Sequence, residues 1–113
     1  MTSVGNATGS AGGESFRFTV RSPERSEAGG PLVFATARRA RAAGLGALRA
    51  AQSALVIDCG ALGPTDSAGL AVLLDWLAEA RHAGRHLRFE HLPDDLLRLA
   101  RISAVDGLLR QGV

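Results

Sequence analysis

Hydrophobic and polar residues alternate strictly along Phe16-Arg17-Phe18-Thr19-Val20, the period of a half-buried strand. Residues 21–30 are charged and end in Gly29-Gly30, which predicts a turn or loop. Pro31 then opens a short apolar run, Leu32-Val33-Phe34, so the two runs predict a hairpin at one edge of a sheet. Residues 35–52 are rich in Ala and Arg, with Leu45 and Leu48 three apart. They predict a helix, weakened by Gly44 and Gly46 at about 1 kcal/mol each relative to Ala. Residues 54–59, Ala-Leu-Val-Ile-Asp-Cys, are apolar without alternation, the mark of a central strand covered on one face or both. Residues 60–64 read as a loop.

The strongest helical pattern follows. Over residues 66–82, Leu70, Leu73, Leu74 and Leu77 recur at i, i+3, i+4 and i+7, giving one core stripe. Thr65 or Asp66 supplies the N-cap oxygen, Arg81 and His82 place positive charge in the last turn, and Gly84 stops the helix. Residues 87–91 alternate again and predict another half-buried strand. Pro93 starts a helix at its first position, running through Leu96, Leu97, Leu99 and Ala100 to about Ile102. Residues 105–110 form a last short helical segment. The order β-β-α-β-α-β-α-α predicts an α/β fold with parallel crossovers, the opening hairpin making the sheet mixed.

Composition narrows what such a fold can do. With 113 residues the chain suits one domain with a single core. Residues 1–14 are mostly Gly, Ser, Thr and Ala, without the basic start or apolar core of a secretory signal. They are expected to form a flexible tail, leaving residues 15–113 as the domain. The single cysteine, Cys59, rules out an internal disulfide and points to the cytoplasm; its place at the end of an apolar strand predicts a buried, inert thiol. All 13 basic residues are arginine, which excludes Schiff-base chemistry and a complete phosphate-binding loop with its lysine. Net charge is only +2, but no acid lies between Ala28 and Ile57, where Arg38, Arg39, Arg41 and Arg49 fall. That stretch could touch acidic lipid or a nucleic-acid backbone, but four arginines make a weak patch with no interleaved aromatics to stack on bases, and they read as a solvated helix face. No apolar run is long enough to insert in a bilayer.

The turn Thr65-Asp66-Ser67-Ala68-Gly69 leads from the buried strand into the strongest helix. Ser67 is therefore expected at the carboxyl end of the sheet, where α/β folds place their sites. A phosphate on Ser67 would meet helix N–H groups and the positive end of the dipole, opposed by the charge of Asp66. A plainer account has Thr65, Asp66 and Ser67 only capping the helix, with Gly69 allowing close packing. At 100° per residue, Val72 falls about 200° and Trp76 about 240° from Leu70, off the leucine stripe, and Ala68 lies on the same outer side. This placement predicts a partner-binding strip of Ser67, Ala68, Val72 and Trp76, with Trp76 as aromatic anchor; packing against a neighbouring helix of the same domain is the alternative.

The run Val56-Ile57-Asp58-Cys59, followed by Thr65-Asp66-Ser67-Ala68-Gly69-Leu70, resembles the signature of STAS domains, named for sulfate transporters and anti-sigma factor antagonists. The similarity covers roughly residues 16–110. It implies the STAS fold: a mixed, mostly parallel sheet of about four strands with helices packed on it. In the anti-anti-sigma branch it implies a non-catalytic regulator whose serine in this turn, here Ser67, is phosphorylated by an anti-sigma factor kinase. Residues 77–109, including Phe89-Glu90-His91-Leu92-Pro93, look more like the STAS subunit of the Mla phospholipid transporter. That likeness implies a cytoplasmic accessory subunit, peripheral to the inner membrane, which binds the ATPase of an ABC complex maintaining outer-membrane lipid asymmetry. The expected partner-binding residues are thus Thr65, Asp66, Ser67, Ala68, Gly69, Val72 and Trp76.

No catalytic residue, cofactor or metal is expected. Thr65-Asp66-Ser67-Ala68-Gly69 departs from the Gly-x-Ser-x-Gly nucleophile elbow at its first position, and no acid-oriented histidine can be identified. The three histidines, His82, His86 and His91, match no familiar ligand spacing. Asp94 and Asp95 fit the first turn of a helix, where they complement its dipole.

Overall fold

A computed structural model describes residues 15–113; the expected tail, 1–14, lies outside the described residues. The elements are β1 (Arg17–Ser22), β2 (Arg25–Leu32), α1 (Phe34–Ala50), β3 (Ala54–Thr65), α2 (Ser67–His82), β4 (His86–Glu90), α3 (Asp94–Ile102) and α4 (Asp106–Gln111). They occur in the expected order. The four strands form one sheet in the order β1-β2-β3-β4, with β1 antiparallel to β2 and the remaining pairs parallel.

Pro93, expected at the first position of α3, is its N-cap, and other ends move by one or two residues; two departures are larger. The second strand is not the apolar run 32–34 but the polar, glycine-bearing Arg25–Leu32. Its position between β1 and β3 gives it hydrogen bonds on both sides, and this pairing outweighs a weak intrinsic strand preference. Small residues suit that slot: a Cβ at Gly29 would sit 2.9 Å from Arg17 Nη2 and 3.2 Å from Ala61 Cβ. Residues 60–64 are not a loop either. β3 continues through them, pairing Gly29 with Ala61, Gly30 with Leu62 and Leu32 with Thr65, across two shifts of register. Beyond Asp58, where the β4 pairing ends, β3 is held by β2 alone and delivers Thr65 to the carboxyl end of the sheet.

Leu55, Ile57 and Cys59 of β3 are buried while Val56 and Asp58 are half-buried, so the helices cover one sheet face only. On the open face, Arg25 is hydrogen-bonded to Glu90 and lies 3.8 Å from Asp58. Over the covered face, α1 and α2 pack against each other, and α2 is buried on two flanks. Of the expected stripe, Leu70, Leu73 and Leu77 are buried and Leu74 is half-buried, and Val72, Trp76 and Ala80 are buried as well.

Trp76 is the centre of the core. It is fully buried, with its ring 5.9 Å from that of Phe18 and 6.4 Å from that of Phe89. Its indole N–H donates to the Arg41 carbonyl at 3.1 Å. Gly44 makes room for it: a Cβ there would overlap indole Cε2 and Nε1 and lie 2.5 Å from Cζ2. The glycine that weakens α1 as an isolated helix is what lets α1 close over the tryptophan.

Candidate functional site

The β3–α2 turn is organised by one carboxylate. Asp66 is the N-cap of α2, and its Oδ1 accepts the Gly69 N–H at 3.0 Å. Its Oδ2 accepts the Phe34 N–H, also at 3.0 Å, at the first residue of α1. One side chain therefore satisfies orphan donors at the start of both helices. These bonds, that from Gly69 first, hold the Asp66 carboxyl below the usual carboxylate range. At the other end of the cap for α1, the Thr36 hydroxyl accepts the Val33 N–H and donates to the Pro31 carbonyl.

Ser67 is the first residue of α2 and is exposed. Thr65 and Ala68 are half-buried, and the Thr65 hydroxyl donates to the Gly63 carbonyl at 3.3 Å. Gly69 is buried against β2, where a Cβ would overlap the Leu32 carbonyl oxygen and lie 2.8 Å from its carbon. The structure thus brings together Asp66, Ser67, Ala68 and Gly69 as a rigid corner between two helix starts.

Trp76 is not on the surface strip that the helical wheel suggested. It is 0% exposed, packed beneath α1, and Val72 is 3% exposed. The reason is geometric: the sheet takes one flank of α2 and α1 takes the adjacent one, so the arc away from the leucine stripe is also interior. Truncating Trp76 would open a core cavity costing about 3–5 kcal/mol, so it cannot act as a detachable anchor.

A surface apolar feature does lie beside Ser67, between α1 and α2. A groove of about 730 Å³ is lined by Phe34, Ala37, Arg38, Ala68, Ala71 and Val72, among others. Val72 contributes to its lining although little of it is exposed. Phe34, read in the sequence as a strand residue, stands at the lip with 83% of its surface exposed. Across the groove Arg41 pairs with Asp75 at 3.1 Å, both exposed, a contact of small energetic weight. Sequence reasoning missed Phe34 because an apolar residue after Leu32 and Val33 extends a strand pattern.

Elsewhere, Asp58, Glu90 and His91 could offer ligand atoms within 4.8 Å of one another. The Arg25 guanidinium already binds Glu90 and flanks Asp58. The Gly60 N–H and the His91 ring are also bonded to Asp58 Oδ1; with the nearby charges they hold Asp58 below the usual carboxylate range. A cation there would have to displace the guanidinium. His91 is thus engaged with Asp58, and His86 contacts the Val113 carbonyl. Neither contact gives Ser67 a base. Cys59 is fully buried, and desolvation pushes its thiol up to about 12.

A mixed sheet covered on one face by helices, with an exposed serine at a doubly capped corner, defines a small α/β domain of the STAS type. The chain belongs to the family described as "Mlab, STAS domain", which matches residues 20–110. Among solved structures it is similar to the anti-sigma factor antagonist SpoIIAA in its unphosphorylated form, at 15% identity and a TM-score of 0.60 over 78% of this chain and 83% of that one. At that identity the likeness shows the fold alone. No curated protein matches the sequence. Among the described residues, no helix is long and apolar enough to cross a membrane.

Proposed function

We propose that this protein is a non-catalytic accessory subunit that docks on the ATPase of an Mla-type ABC transporter and supports phospholipid trafficking for outer-membrane lipid asymmetry. On this reading it is cytoplasmic and reaches the inner membrane only through its partner. The observation that carries it is the Ser67 corner in a chain of the MlaB-type STAS family: an exposed hydroxyl on a turn fixed by two helix caps. A turn held in this way presents the same surface to a partner every time and loses little conformational entropy on binding.

A second reading, an anti-sigma factor antagonist switched by phosphorylation of Ser67, is favoured by the exposure of that hydroxyl beside Asp66. A phosphoryl group there would add nearly two negative charges next to the carboxylate that caps both helices, and like-charge repulsion would loosen the corner.

Affinity purification of the tagged protein, followed by reconstitution with the purified partner, separates the two. The first reading expects the transporter ATPase and permease to be recovered, and Ser67→Arg to cut ATPase recovery while the melting temperature stays unchanged. Recovery of an anti-sigma factor kinase without ATPase or permease would overturn it.

A further inference from the structure

The groove between α1 and α2 is walled by helices whose own backbone bonds leave little for an incoming strand to pair with along their length. Recognition there falls to side chains, the condition under which an amphipathic helix, and not an extended strand, is the natural occupant. The small side chains of Ala37, Ala68 and Ala71 allow a backbone to approach closely. The exposed ring of Phe34, with the exposed methyls of Ala35 and Ala71, supplies apolar contact.

Charge selects among helices. α1 has no acidic residue along its 17 positions. Arg41 is committed to Asp75, whereas Arg38, which lines the groove, makes no ion pair among the described residues. At 100° per residue Arg49 projects within about 20° of Arg38, while Arg39 points about 100° away from it, off the groove. On its α1 side the groove is thus edged by Arg38, without an ion-pair partner among the described residues, while Asp75 on its α2 side is taken up by Arg41.

We infer that this groove receives an acidic amphipathic helix of the partner protein, its apolar stripe on Phe34 and Ala71 and a carboxylate paired with Arg38. This deepens the docking role proposed above and rests on it. A carboxylate next to the partner's stripe forms a charge-assisted pair with Arg38, and the apolar contact supplies the affinity.

The test uses the full chain, the purified transporter ATPase, and three defined probes. The probes are an 18-residue amphipathic helix with Leu at i, i+3, i+4 and i+7 flanked by Glu, the same peptide with Lys in place of Glu, and phosphatidylglycerol vesicles. Binding is followed by titration calorimetry at physiological salt, with circular dichroism melting as the control for folding. The Glu peptide is expected to bind and the Lys peptide and vesicles not to. Arg38→Glu should weaken both the peptide and the ATPase at least tenfold, and Phe34→Ala should weaken both without lowering the melting temperature. Arg39→Glu makes the same change in net charge outside the groove and should stay within threefold of wild type. Equal losses for Arg38→Glu and Arg39→Glu, equal binding of the two peptides, no binding of either, or Arg38-dependent vesicle binding would each overturn the inference. If the wild-type chain binds the ATPase and Arg38→Glu leaves it unchanged, the inference fails and the docking role stands. If the wild-type chain does not bind the ATPase at all, the docking role itself fails.

Discussion

Gly44 and Gly46 sit two residues apart in the interior of α1, and the structure assigns opposite signs to replacing them with alanine. At Gly46 a Cβ meets nothing within 4 Å. Gly46→Ala therefore adds helix propensity at no steric cost and should stabilise by about 0.5–1 kcal/mol. At Gly44 the same methyl would overlap the Trp76 indole. The ring cannot retreat freely, because it is fully buried between Phe18 and Phe89 and tied to the Arg41 carbonyl. Overpacking of this kind costs about 1–3 kcal/mol. A shift of the ring that strands the indole N–H adds about 1–3 kcal/mol more. The propensity gain returns about 1 kcal/mol, so the net is a loss of about 1–5 kcal/mol. For a domain of this size each kcal/mol moves the melting temperature by roughly 4–8 °C. Urea unfolding followed by the emission of the single tryptophan, with far-UV circular dichroism as a second probe, measures both variants. If Gly44→Ala is as stable as wild type, or rises together with Gly46→Ala, the account of α1 closing over Trp76 is wrong.

Two further outcomes follow from the corner and the core. Asp66→Ala removes the acceptor for both the Gly69 and Phe34 N–H groups and should cost about 2 kcal/mol, whereas Asp66→Asn keeps one acceptor and should cost about half as much. Because the folded protein lowers the Asp66 pKa, it binds fewer protons there than the unfolded chain. That stabilisation is present above the unfolded value near 4 and is lost as pH falls through the folded one, so wild-type stability should fall more steeply below about pH 4 than that of Asp66→Ala; parallel acid profiles would refute this. Cys59, fully buried with its thiol pushed up to about 12, should react with a thiol reagent at pH 8 only at the rate of unfolding. Prompt stoichiometric labelling of the native protein would contradict its placement.

The order of elements and the position of Ser67 were legible in the sequence because they depend on local signals: the apolar run of residues 54–59, the leucine period of α2, and the turn between them. What was not legible depends on neighbours. The polar strand β2 exists because β1 and β3 pair with it on both sides, which no local preference of Arg-Ser-Glu-Ala-Gly-Gly reports. Residues 60–64 extend β3 for the same reason. For Trp76 the helical wheel leaves two placements open, an outer strip or a neighbouring helix; α2 has two buried flanks, and the structure takes the second, against α1. Gly44 carried a hint of this, since a glycine inside a helix opposite a large aromatic can mark a close crossing, but pairing it with Trp76 needs the fold. Phe34 looked like strand and is instead a ring held out at the groove lip.

The two hydrogen bonds that end on Asp66 have a mechanical consequence. Since the first residue of α1 and the first turn of α2 are bonded to the two oxygens of one carboxylate, a shift of that side chain is felt at both the groove lip at Phe34 and the turn at Ser67. Whatever disturbs that carboxylate, whether protonation, a neighbouring phosphate or a partner's cation, slackens both helix starts together. Whatever clamps the lip tightens the turn. Two sites that are 33 positions apart in the sequence, Phe34 and Ser67, thus communicate through a single side chain, with no travelling conformational change required.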